Sequence, residues 1–124
     1  MTKTFGPYSP IRRAGDFYYI SGQVGVDPIA GTCGSTTAAQ TKQALENLRQ
    51  LLAKEGLGLG HVIKTTIYLT DMGDFGKVNS IYSEYFAPHK PARSTVAVRE
   101  LPRVGDKVPI KVEIEAIVYK EGIS

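Results

Sequence analysis

The run Ile110-Lys111-Val112-Glu113-Ile114-Glu115-Ala116-Ile117-Val118 alternates with a period of two. Successive side chains of a strand point to opposite faces, so Val112, Ile114 and Ala116 share one face and Glu113 and Glu115 share the other. A strand of this kind must bury its apolar side against a second layer. A second run, Pro91-Ala92-Arg93-Ser94-Thr95-Val96-Ala97-Val98, is also rich in β-branched residues and reads as a strand. Residues 100–109 carry Pro, Gly and charge and read as the loop between them. The two strands are predicted to pair as an antiparallel hairpin, which would turn Arg93 and the carboxylates toward one cleft. A guanidinium can grip a small carboxylate through two parallel hydrogen bonds, and a nearby Glu can handle protons.

The remaining chain supplies the layers. Gly6-Pro7-Tyr8-Ser9-Pro10 is an ordered turn or extended arm. Ile11–Ala14, then Gly15-Asp16, then Phe17–Ser21 read as strand, turn and strand, the second apolar on both faces. Ser35 or Thr36 caps a helix, with Gln40 placed to complete the cap. Its stripe is Ala38, Thr41, Leu45, Leu48 and Leu52, widened by Ala44 and Leu51, and it stops near Gly56. Val62–Leu69 is a strand. Thr70 or Asp71 caps a second helix with Phe75, Val78, Ile81, Tyr82, Tyr85 and Phe86 inward, ended by Pro88. This order predicts an α+β fold, with two helices on one face of a mixed sheet. The other face carries Tyr, Ile, Thr and Val and is too apolar to stay wet, which predicts a homo-oligomer with clefts at subunit boundaries.

At 124 residues the chain is read as one domain, 1–124. It has no run of membrane-spanning length, and Met1–Pro7 lacks a signal-peptide apolar core, so a cytoplasmic location is expected. The single cysteine, Cys33, sits in a predicted turn and excludes an intrachain disulfide. The net charge of +3 leaves nucleic acid open, but the basic residues are scattered and no aromatic–basic motif accompanies them. Gly56-Leu57-Gly58-Leu59-Gly60 follows a helix and precedes a strand, the reverse of a dinucleotide fingerprint. His61, His89 and Cys33 share no metal-ligand spacing, so no metal site is expected. On spacing alone, Arg93 reads as a strand-end arginine paired with surface carboxylates, and Glu113 and Glu115 read as solvated. Tyr8 can simply pack, and Ser21 and Asn79 can be structural, Asn79 by bonding backbone within its helix.

An ordered set of short motifs changes that balance: Gly6-Pro7-Tyr8-Ser9, Ser21-Gly22-Gln23, Lys64-Thr65-Thr66, Val78-Asn79 with Tyr82, Pro91-Ala92-Arg93-Ser94-Thr95, Leu101-Pro102 and Val112-Glu113-Ile114-Glu115-Ala116. Together they resemble the RidA (YjgF-type) reactive-intermediate deaminases along essentially the whole chain. The resemblance implies a chorismate-mutase-like α+β fold. It also implies a homotrimer with a central barrel-like interior, helices outside and clefts between subunits. The implied activity is hydrolysis of short 2-enamine/2-imine acids, such as 2-aminoacrylate and 2-aminocrotonate, to 2-oxo acids and ammonia, without metal or organic cofactor. Arg93 matches the arginine that grips the substrate carboxylate, and Glu113 the acidic position that orients or activates water. Tyr8, Ser21 and Asn79 match pocket positions, with the backbone around Gly22 and Thr95 lining the cleft.

The chain departs from the family pattern at Thr95, where cysteine is common, and in a longer link over 103–109, expected to protrude over the cleft or at the trimer edge. The arm before Gly6 is also short. A non-catalytic or regulatory trimer that binds a carboxylate metabolite at Arg93 is the alternative. A ribonuclease activity, ascribed to some relatives, finds no basic track to support it.

Overall fold

The computed structural model describes residues 6–103 and 108–122. The expectations for the arm before Gly6, and for residues 104–107 of the long link, lie outside them. The elements are β1 (Ile11–Ala14), β2 (Phe17–Val24), α1 (Thr37–Lys54), β3 (Val62–Leu69), α2 (Phe75–Phe86), β4 (Ala92–Ala97) and β5 (Val112–Tyr119), in the predicted order. They form one mixed sheet, ordered β1-β2-β5-β3-β4. β1 and β2 pair antiparallel across the Gly15 turn, where φ is +62° and a side chain would be strained.

The predicted hairpin of the last two strands does not form. β3 lies between them, pairing antiparallel with β5 and parallel with β4. The helix α2 that follows β3 supplies the crossover a parallel partner needs, and this frees β4 to take the sheet edge.

Both helices cover one face. Leu45, Leu48 and Leu52 of α1 and Val78, Tyr82 and Phe86 of α2 pack with Tyr18, Ile20, Ile67, Leu69, Val112, Ile114 and Val118 in one buried cluster. Removing such apolar area from water stabilises the fold by roughly 25 cal/mol per Å². The alternation expected in β5 holds, with Val112, Ile114, Ala116 and Val118 buried. In β3 a register shift between Val62 and Lys64 interrupts the alternation at the start of the strand, so Val62 is buried and Ile63 exposed. On the face without helices, Phe17, Tyr19 and Val96 stay 39–49% exposed. The expected burial of both faces of β2 is therefore not met within one chain.

Thr36 caps α1, its hydroxyl accepting from the Ala39 amide. Gln40 does not complete that cap. Its side chain is fully buried, donating to the carbonyls of Gly34 and Pro109 and accepting from the Lys111 amide. It thereby staples the start of β5 to the helix layer. Asp71 caps a short turn of 3-10 helix, Met72–Asp74, that leads into α2. Cys33 is buried against Val26 and Ile110 in a second, small core. Among the described residues, no helix is long and apolar enough to cross a membrane.

Candidate functional site

The candidate residues fall into two groups on opposite faces of the sheet. On the helix side, at the rim, Arg93 leaves edge strand β4 and lies over two rings of α2. Its guanidinium carbon is 4.9 Å from the Tyr82 ring centre and 5.5 Å from that of Phe75. Such cation–ring contacts hold a guanidinium in place without consuming its hydrogen bonds. Asn79, four residues after Phe75 and three before Tyr82, shares their helix face. Tyr82 is itself fixed by a 2.6 Å hydrogen bond with the Thr65 hydroxyl. Burial raises its phenol above the ordinary value, while Thr65 and Arg93 pull the other way.

Among the described residues no carboxylate pairs with Arg93, so the paired surface arginine read from spacing is not what forms. Thr95, two residues on, shares the strand side of Arg93, and its hydroxyl oxygen is buried without a hydrogen-bond partner.

The second group lies on the face away from the helices. Glu113 is half-buried, in register with Tyr68 of β3 and Val24 of β2. Burial first, and then the neighbouring Glu115 charge, raise its carboxyl above the usual value. Glu115 accepts a hydrogen bond from the Tyr68 hydroxyl, which pushes that phenol up to about 12. Gly22 sits against Glu113: a methyl added there would lie 2.7 Å from Glu113 Cγ and closer still to its carboxylate. Ser21 Oγ donates to the Ser9 carbonyl at 2.6 Å, and its amide donates to the Pro10 carbonyl. These bonds tie the arm carrying the half-exposed Tyr8 to the irregular part of β2, beside Gly22.

The single cleft expected to hold Arg93 and Glu113 therefore does not exist within one chain. Arg93, Asn79 and Thr95 form one half. Glu113 and Gly22 form the other, with Ser21 and the arm of Tyr8 beside them. Spacing also did not reveal that Phe75 and Tyr82, assigned to the core, cradle Arg93, or that Tyr68 lies across from Glu113 and donates to Glu115. The second point needs the β3–β5 register, which strand alternation alone does not supply.

The fold and these two groups define a small α+β protein whose rim arginine has no carboxylate partner among the described residues, with a half-buried acid on the face behind it. The chain belongs to the YjgF/RidA family: the family model described as Endoribonuclease L-PSP matches residues 1–120. It is 46% identical over 120 residues to a RutC family protein of Pyrococcus horikoshii, covering 96% of this chain and 91% of that one. It is 45% identical over 116 residues to the mouse 2-iminobutanoate/2-iminopropanoate deaminase, covering 93% and 82%. Among solved structures, a putative endoribonuclease of Thermotoga maritima superposes with TM-score 0.89 at 43% identity, over 98% of this chain and 92% of that one. TdcF of Escherichia coli, solved with bound serine, superposes with TM-score 0.88 at 33% identity, over 97% and 93%.

Proposed function

We propose that this protein hydrolyses short 2-enamine/2-imine acids, 2-aminoacrylate and 2-aminocrotonate among them, to 2-oxo acids and ammonia. The observation that carries the proposal is Arg93, a guanidinium held between two aromatic rings with no carboxylate partner among the described residues. Its donors are left for a ligand carboxylate, an interaction of roughly 1.5–3 kcal/mol. The relatives support the chemistry: the mouse protein is named as this deaminase, and TdcF holds an amino acid.

In this reading the site is completed by a second copy. The apolar residues of the face away from the helices call for cover, and a chorismate-mutase-like homotrimer supplies it, sheets inward around a barrel-like interior. The rim of one subunit, with Arg93, Asn79 and Thr95, then meets Tyr8, Ser21, Gly22 and Glu113 of the next. Arg93 fixes the carboxylate and so the position of the iminium carbon. Water attacks that carbon and gives up a proton. Glu113, whose burial shifts its carboxyl toward neutrality, receives the proton and passes it to the nitrogen. As the carbon–nitrogen bond of the carbinolamine breaks, its hydroxyl gives its proton back to the Glu113 carboxylate, and ammonia leaves behind a 2-oxo acid. The lone thiol, Cys33, suits a reducing cytoplasm.

The test generates 2-aminoacrylate with a serine dehydratase and follows pyruvate release. The protein is expected to accelerate release, and Arg93→Ala to lose about 100-fold or more of that acceleration. Full activity in Arg93→Ala contradicts the assignment. Binding of a 2-oxo acid without acceleration instead gives the non-catalytic, metabolite-binding reading.

A further inference from the structure

The basic residues that look scattered in the sequence are partly gathered by the fold. A cleft of about 610 Å³ opens where β3 and β4 end and β5 begins, lined by Arg99, Arg103 and Lys111 together with Thr70 and Ile110. Among the described residues, Glu100 is the one carboxylate that lines it, and no carboxylate pairs with Arg99, Arg103 or Lys111. Ile110 is buried in the second core, and Leu101 packs against it, so the cleft has an apolar floor under a cationic rim. Gln40 pins its wall by accepting from the Lys111 amide and donating to the Pro109 carbonyl. An open cleft with an apolar floor and cations at its rim is chemically suited to a small anion.

Its place in the sheet ties it to Glu113. Tyr68 and Glu113 are paired residues of β3 and β5. Two residues along each strand, on the same face, come Thr70 and Lys111, joined by the Thr70 amide donating to the Lys111 carbonyl. The cleft therefore begins one row of side chains beyond Glu113, roughly 7 Å along the strand.

We propose that this cleft extends the Glu113 half of the site and receives a second anionic group, so that the protein prefers 2-imino and 2-oxo acids bearing a distal carboxylate. The proposal rests on the deaminase reading for the α-carboxylate end of the ligand, which Arg93 holds. The distal carboxylate meets Arg99 and Arg103.

Calorimetric titration of the assembled protein with 2-oxobutanoate and 2-oxoglutarate, at matched ionic strength, tests it. The wild-type protein is expected to bind 2-oxoglutarate about tenfold or more tightly than 2-oxobutanoate, the discrimination one charge-assisted hydrogen bond supplies. The double variant Arg99→Gln with Arg103→Gln is expected to lose that gap and keep its affinity for 2-oxobutanoate. Equal binding of the two acids by the wild-type protein overturns the proposal, as does a gap that survives in the double variant. Arg93→Ala separates this outcome from failure of the deaminase reading. Unchanged 2-oxobutanoate affinity in that variant sinks the deaminase reading. Loss of 2-oxobutanoate binding with unchanged 2-oxoglutarate binding makes the cleft a separate anion site and sinks the extension.

Discussion

The rim around Arg93 and the sheet face around Glu113 are built on opposite principles. At the rim, a cation is held by rings that leave its donors free. On the face behind, a carboxyl is held by close backbone at Gly22 and by burial that works against its charge. The first arrangement leaves hydrogen-bond donors available; the second leaves a carboxyl that keeps its proton to higher pH. In the proposed function each is half of a site, and the sheet between them keeps both from meeting inside one chain.

The sharpest way to break this contrast is to disturb the acid half alone. Gly22→Ala drives a methyl into Glu113 and is expected to lower kcat at least about tenfold, with little change in KM, because Arg93 still binds the carboxylate. An equal loss in KM would mean that the two halves are not separable as binder and proton carrier.

Gln40 gives a test of stability. Gln40→Leu leaves the carbonyls of Gly34 and Pro109 and the amide of Lys111 without their partner, and should cost about 2–4 kcal/mol in a urea melt. The loss should loosen β5 and its Glu113 first, and hydrogen exchange would show it there before β4.

The smallest effect concerns pH. The folded Glu113 carboxyl holds its proton to higher pH than the unfolded one, so the native state binds more protons. Within one chain, stability is therefore lost as pH rises from the ordinary value of 4.5 through the raised one. Glu113→Gln should remove that slope in denaturant melts of the dissociated chain. A variant with the wild-type slope would show that the acid is not desolvated.

The elements were legible because their periods are strong: the Leu45, Leu48 and Leu52 stripe and the β5 alternation both place the core correctly. The strand order was not. Local alternation says which side chains share a face but nothing about which strand lies beside which, and the parallel β3–β4 pair depends on α2 crossing over. That one missing fact put Arg93 and Glu113 in the same cleft. Gln40 departs from its expected cap for a related reason: its partners at Pro109 and Lys111 are about 70 residues away, invisible to a local capping pattern. The gathering of Arg99, Arg103 and Lys111 is likewise a product of chain reversal.

Mixed assembly tests the central claim most directly. Arg93→Ala and Glu113→Gln chains, each inactive alone, would be unfolded, combined in equal amounts and refolded, with mixed oligomers verified by mass. If the halves belong to neighbouring subunits, random assortment restores both groups at roughly a quarter of the sites, and deaminase activity returns to about that level. Mixed oligomers that remain as inactive as their parents would contradict a site shared between chains.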